Sequence, residues 1–419
     1  MKRNTAWIPL FLTNFLGVFN NNFFQTLIFL LAIKWVSQDD STLIVPLASG
    51  LYVISYIFFS PYAGKLAKTK QKKKIIIVSR LFEFSLFIIG SIGFYFENVF
   101  IVMICIFLLG LISTLFSPSK YGLIRDIGGN EGISFGTGTL EMLTFFGALL
   151  GPLLATIISD HYNFYVMLSI FLLVSASGFF SIYKLKVTEN EPMKNCDDTV
   201  NPVKFVIQSI KFASKIKGLN LIIAGLASFW MIASFIRMTV IEHCPKVLEM
   251  TNTEMGYVLT ASAVGIGIGS YLAGIFSKGK VELGLTPIGG IGMTITLLFL
   301  FFLEPSGIIF TILIFMVAMF CGIYMVPLSA SVQSSVEGRK QGDMIAYSNF
   351  VVFLLIFISA AIYGVISKVF GTNAVFIMLV FLVSIMTFMM LKYVPAMFER
   401  FKKLIKITNI IHETNNHNF

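Results

Sequence analysis

A few polar side chains in this 419-residue sequence stand where polar chemistry is expensive. The stretch "FLGVFNNNFFQ" sets Asn20, Asn21 and Asn22 side by side in a long apolar run, with Asn14 before them and Gln25 after. Glu141 lies in "GTLEMLTFFGALLGP", Lys120 follows "FSPS", and Arg237 lies in "FWMIASFIRMTVIEH". A side-chain amide in hydrocarbon is costly until it finds a partner, and a charge is costlier. Such residues point to a polar pathway through an apolar body, or to polar ties between neighbouring helices.

Helical geometry separates these roles in part. A residue advances about 100° around the axis, so Asn14, Asn21 and Gln25 fall within about 40° of arc. Gly17 and Asn22 flank that arc and Asn20 points away. Asn21 and Asn22 are therefore expected to face the interior of a bundle, with Asn20 bonded to a neighbouring helix. Interhelical amide bonding alone remains the competing account for all three.

Arg237 stands close before Glu242. It can pair with that carboxylate one turn away, or it can read a phosphate, since guanidinium holds phosphate oxygens bidentately. Glu141 can bind an amine or carry a coupling proton, or accept bonds from adjacent helices. Arg80 and Glu83, three residues apart, read as a local ion pair. Pro118 is expected to end or kink its helix. Lys120 just beyond is expected either to snorkel to the interface or to contact a lipid phosphate.

Enzymatic chemistry has no comparable support. The histidines (His161, His243, His412, His417) do not cluster with cysteines or carboxylates at metal-ligand spacing, and none has an aspartate five residues downstream. Gly274-x-x-x-x-Gly279-Lys280 resembles a phosphate-binding loop, but Val281 replaces the required Ser or Thr and the motif follows an apolar span. The cysteines (Cys105, Cys196, Cys244, Cys321) form no C-x-x-C pair. Neither an enzyme nor a cofactor is expected.

These residues must be positioned by membrane-spanning helices. Hydrophobic residues make up 56% of the chain and charged residues 12%, with a mean hydropathy of +0.85; a soluble protein carries about a quarter charged residues. A span needs about 20 apolar residues. Such runs fall near 7–33, 42–63, 75–95, 98–116, 136–159 and 163–183, then near 219–242, 254–277, 284–303, 307–329, 343–368 and 372–394. The class is an all-α membrane protein with twelve transmembrane helices in two groups of six. The organisation expected is an N-terminal bundle (1–183), a cytoplasmic linker (184–218), a C-terminal bundle (219–394) and a cytoplasmic tail (395–419).

Basic residues then set the orientation. With the N-terminus inside, only Lys34, Lys246 and Lys368 of 31 basic residues fall outside, and only Arg80 and Arg237 lie within spans. The net charge of +10 thus reports topology, not nucleic-acid binding. In the linker, "NPVKFVIQSIKFASKIKG" gathers Val203, Val206, Ile207, Ile210 and Ala213 on one helical face. It reads as an amphipathic helix on an anionic leaflet or as a solvated basic segment, and "VPAMFERFKKLIKI" near the C-terminus has similar character. The loops after spans 2 and 8 share Gly-x-x-small-Lys (Gly64 to Lys68, Gly274 to Lys278), as two parallel repeats would.

Taken in order, "FLGVFNNNFFQ", "SPSKYGLIRDI", "GTLEMLTFFGALLGP", "FWMIASFIRM" and "YMVPLSASVQ" resemble the lysophospholipid transporters (LplT-like) of the major facilitator superfamily. The resemblance runs from span 1 into span 11, and "SPSKYG" is its most specific piece. It implies the superfamily fold of two six-helix bundles in a bacterial inner membrane. It implies movement of lysophospholipid, chiefly lysophosphatidylethanolamine, from the outer to the inner leaflet by alternating access. It also implies a separate acyltransferase as a possible partner and a monomer as the working unit. A proton-coupled transporter of a soluble metabolite or drug is the alternative on the same fold. By motif, the head-group contacts carry over to Asn21, Lys120 and Arg237, to which the residue reading adds Asn22, Gln25 and Glu141. The chain departs from the pattern at Asn21, where relatives carry aspartate, and at Lys68, where the loop after span 2 has aspartate.

Overall fold

The computed structural model describes residues 5–35, 38–160, 163–189, 191–193, 201–303, 305 and 307–404. Cys196, His161, His412, His417 and the tail beyond residue 404 lie outside the described residues. Every regular element among the described residues is helical. The chain runs through α1 (Trp7–Leu31), α2 (Gln38–Thr69), α3 (Lys72–Tyr95), α4 (Val99–Asp160), α5 (Phe164–Tyr183) and α6 (Pro202–Ala213). It continues through α7 (Leu219–Lys246), α8 (Asn252–Phe276), α9 (Leu285–Leu303), α10 (Gly307–Ser334), α11 (Gln341–Phe370) and α12 (Asn373–Tyr393).

The 62 residues of α4 would extend about 93 Å at 1.5 Å per residue, some three times the hydrocarbon thickness. Gly129 divides it, with φ 61° and ψ −165°, a conformation open to glycine alone. The two parts are the fourth and fifth passes. Nine helices among the described residues are long and apolar enough to cross a membrane, with α4 counted once. The second pass of α4, together with α1 and α2 of 25 and 32 residues, brings the count to twelve. The surfaces these helices leave exposed are apolar: Phe58, Phe82, Phe100, Tyr165, Leu173 and Phe302 are each more than half exposed, as lipid-facing side chains must be.

Pro118 neither ends nor breaks α4, which continues one pass unbroken to Gly129. The fourth pass is therefore longer than its apolar run, and it carries Lys120 inside the helix. Transmembrane helices tolerate proline because neighbouring groups satisfy the freed carbonyl.

The helices group into two compact units. The first comprises 1–132, 139–211 and 336–354, and the second 133–138, 212–335 and 355–419. In the first, α5 packs against α1 and α3 around a phenylalanine core. Phe87 and Phe171 stack with centroids 5.0 Å apart, and Phe24 meets Phe87 and Phe94 edge-on at 5.6 Å. Lys68 at the end of α2 pairs with Asp343 in the first turn of α11, so the position that breaks the family pattern has a carboxylate partner. Lys72 and Asp126, both buried, pair at 2.5 Å.

In the second unit, α10 packs against α7, α8 and α9. Small residues let α8 and α10 touch backbone to backbone. A Cβ on Gly265 would sit 2.6 Å from the Phe315 carbonyl oxygen, and one on Gly269 would overlap the Met319 carbonyl. The start of α8 carries a capping box, Thr251 with Glu254. Gly269→Ala is expected to force these helices apart, at about 1–3 kcal/mol. A thermal unfolding midpoint unchanged from wild type would refute that packing.

Candidate substrate-binding site

In the first unit α1 turns three asparagines to three destinations. Asn20 is buried and donates to the Ser175 hydroxyl at 2.9 Å and the Phe171 carbonyl at 3.2 Å. It is a tie between α1 and α5, on the side that the helical wheel assigns to a neighbouring helix. Asn22 donates to the Val18 carbonyl of its own helix at 2.8 Å, and its Cβ lies where a side chain on Gly151 would clash. Asn21 donates to the Ser113 hydroxyl on α4 at 3.2 Å, lies against Glu83, and leaves its buried Oδ1 without a partner. Gln25, one turn further, makes no side-chain hydrogen bond among the described residues.

The Asn20 tie gives a direct prediction. Asn20→Ala should cost about 0.6 kcal/mol, and at most about 1.7, the range for polar contacts between membrane helices. It should leave transport intact, and a loss of transport at unchanged stability would contradict it.

Around Asn14 and Asn21 the helices converge on four charges. Lys120 donates to Asn14 Oδ1 at 3.1 Å, and Asn14 in turn donates to the Thr144 hydroxyl at 2.9 Å. The Lys120 ammonium also faces the Tyr121 ring at 4.9 Å and the Phe116 ring at 5.7 Å. An ammonium has three donors, and among the described residues no carboxylate lies within ion-pair distance of this one. Glu141 and Arg80 are near enough to act on it electrostatically. Glu141 is buried; its Oε1 accepts from the Tyr121 hydroxyl at 2.5 Å and its Oε2 has no partner. Lys120 therefore does not snorkel. It is held inside by an amide and two rings, with donors left over.

The other two charges cancel. Arg80 pairs with Glu83, and both side chains are 4% exposed. The guanidinium lies over the Phe116 ring, 4.7 Å from its centroid, in the space where a Cβ on Gly17 would be. Glycine at position 17 is what lets α3 bring an arginine against α1.

Arg237 belongs to the second unit. Glu242 does not pair with it: that carboxylate takes Lys246 at 2.8 Å and the Tyr363 hydroxyl at 2.7 Å. No hydrogen bond or ion pair reaches Arg237 among the described residues. The residue is exposed. A guanidinium in the middle of an apolar helix with no protein partner is open to a ligand anion.

Asn14, Asn21, Lys120 and Glu141 are thus brought together, and Arg237 stands in the other unit. Tyr121, Arg80, Ser113 and Thr144 join the first cluster. Of these, only Arg80 carried a signal in the sequence, as a charge inside a span. Among the described residues no group of histidine, cysteine and carboxylate side chains could hold a metal ion.

The sequence pattern of the Major Facilitator Superfamily matches residues 10–278 and 229–406. The lysophospholipid transporter LplT of Photorhabdus laumondii is 23% identical over 336 residues, which is 77% of this chain and 80% of that one. The LplT of Escherichia coli O157:H7 is 22% identical over 309 residues, 73% of this chain and 75% of that one. Among solved structures, the human organic anion transporter MFSD10 superposes with a TM-score of 0.76 at 12% identity, covering 93% of this chain and 99% of that chain. A bacterial homologue of the iron transporter ferroportin gives 0.74 at 13% identity, again covering 93% and 99%. Matched along nearly its whole length and sharing the fold, this chain belongs to the Major Facilitator Superfamily and is a multi-pass membrane transporter similar to bacterial lysophospholipid transporters.

Proposed function

We propose that this transporter moves lysophospholipids of the lysophosphatidylethanolamine type from the outer to the inner leaflet of a bacterial inner membrane by alternating access. The observation that carries this reading is Arg237, an intramembrane guanidinium with no protein partner. A phosphodiester supplies the anion it lacks, in a geometry guanidinium holds bidentately. The first-unit cluster suits the same molecule. Lys120 has donors to spare for phosphate oxygens, while Glu141 Oε2 and Asn21 Oδ1 are buried acceptors without donors. A zwitterionic head group, an anion and an ammonium a few bonds apart, complements a lysine and a carboxylate kept near each other but unpaired. Asn22 and Gln25 border the cluster on α1.

In this reading the bundles 1–183 and 219–394 move about the substrate, joined by the linker 184–218, with both termini and the 395–419 tail in the cytoplasm. The transporter works as a monomer, and a separate acyltransferase consumes its product.

A second reading rests on Glu141 itself. A buried carboxylate held by one tyrosine is suited to carry a proton, and would make this a proton-coupled transporter of a soluble metabolite or drug. It predicts uptake that collapses with an uncoupler and in Glu141→Gln.

The experiment is reconstitution in liposomes with labelled lysophosphatidylethanolamine, wild type beside Asn21→Asp. Inward movement by the wild type supports the proposal, with an amide serving where relatives have a carboxylate. No movement by the wild type, with movement gained in Asn21→Asp, overturns it for this chain and leaves a different substrate on the same scaffold.

A further inference from the structure

A polar stripe runs along α4 through the first-unit cluster. Ser113, Ser117, Lys120 and Tyr121 follow one another on that helix, and at about 100° per residue they fall within about 100° of arc. Three of them have the partners described above: Ser113 accepts from Asn21, Lys120 donates to Asn14, and Tyr121 donates to Glu141. The fourth, Ser117, is 6% exposed and accepts from Asn349 Nδ2 on α11 at 2.8 Å.

Asn349 is held in place from one turn away. Phe353, four residues further along α11, stacks on the Tyr56 ring of α2 with centroids 3.7 Å apart and planes 21° from parallel. That part of α2 is fixed against α4 in turn. A Cβ on Gly110 would lie 2.7 Å from the Tyr52 carbonyl oxygen, and the Ser55 hydroxyl donates to the Phe107 carbonyl at 3.0 Å. All of these residues belong to the first unit.

The pair keeps one acceptor and one donor unused. Among the described residues Asn349 Oδ1 accepts no hydrogen bond, and the Ser117 hydroxyl donates none. An alcohol satisfies both, donating to the amide oxygen and accepting from the serine, whereas an ester carbonyl can only accept. Ser117 precedes Lys120 by three residues, a rise of about 4.5 Å along the helix. In a lysophospholipid the free glycerol hydroxyl stands a few bonds from the phosphate, and it is the group that a diacyl phospholipid lacks. The charged head group is common to both lipids and cannot tell them apart.

Resting on the lysophospholipid reading above, with Lys120 on the phosphate, we infer that Asn349 and Ser117 bind the free glycerol hydroxyl. Asn349 is then a specificity residue supplied by α11, and selection against diacyl lipid uses a hydrogen bond as well as the bulk of a second chain.

In proteoliposomes, inward movement of labelled lysophosphatidylethanolamine is compared with that of its analogue carrying hydrogen in place of the glycerol hydroxyl. The analogue keeps the phosphoethanolamine and the single acyl chain. At subsaturating concentration the wild type should move the natural lipid about tenfold faster, the worth of one neutral hydrogen bond. In Asn349→Ala that preference should vanish through loss on the natural lipid alone, with the analogue moved as by wild type. Ser117→Ala should narrow the preference in the same way. Equal loss on both lipids in Asn349→Ala would make the residue structural, and a preference that survives both substitutions would place the hydroxyl elsewhere; either overturns the inference. Wild type moving both lipids equally overturns it while leaving lysophospholipid transport standing. Wild type moving neither lipid removes the transport reading and the inference together.

Discussion

Arg237→Ala is expected to abolish lysophospholipid movement while leaving the folded protein as stable as wild type or slightly more so. Both halves follow from the missing partner. Because no carboxylate or carbonyl among the described residues holds the guanidinium, truncation strands no buried group in the transporter. What disappears is the charge of an exposed side chain, a change expected to move stability by no more than about 0.5 kcal/mol. Under the proposed function a substrate phosphate, by contrast, loses a charge-assisted contact worth about 2–5 kcal/mol, which at about 1.4 kcal/mol per tenfold is roughly 30-fold to several thousandfold. Arg237→Lys should recover only part of this, since an ammonium is a point charge without the bidentate fork. The measurement is initial transport rate against lysophosphatidylethanolamine concentration in proteoliposomes, beside the thermal midpoint of the same preparations. Unchanged transport sinks the phosphate assignment. A large fall in the midpoint would show that Arg237 holds the fold instead.

That contrast between partnered and partnerless charges also marks how far the sequence could be read. Span lengths and the placement of lysines determined twelve passes, because hydrocarbon thickness and the cost of moving cations leave few alternatives. Helical periodicity separated Asn20 from Asn21, since direction around one helix is a local property. The three-residue spacing of Arg80 and Glu83 announced their pair for the same reason.

Contacts across helices were not legible. Lys120 meets Asn14 over 106 positions of chain, and nothing local in "SPSKYG" distinguishes a lysine bound inside from one snorkelling at the interface. Tyr121 was invisible because a tyrosine in an apolar run carries no cost that demands explanation, although its hydroxyl is what holds Glu141. Gly17 reads as one more small residue until the arginine that fills its missing side chain is seen. Lys68 departs from the family's acidic residue, and nothing near it in sequence points to its partner Asp343, 275 positions away.

The second arginine inside a span should behave in the opposite way to the first. Arg80→Ala is expected to destabilise the protein by about 3–5 kcal/mol, the cost of leaving one member of a buried pair uncompensated. Glu83, 4% exposed, would keep Asn21 beside it but lose its cation, and the face of Phe116 and the space at Gly17 would be vacated together. The thermal midpoint should fall by on the order of 10 °C. The decisive variant is the double replacement Arg80→Leu with Glu83→Leu. Removing both charges leaves nothing stranded, so most of the stability should return, while transport should stay low because Asn21 has lost the carboxylate beside it. Equal instability in single and double variants would show that packing of the long side chain, and not charge pairing, holds α3 against α1. Full recovery of transport in the double variant would detach the pair from the head-group site and leave Lys120, Glu141 and Asn14 to define it alone.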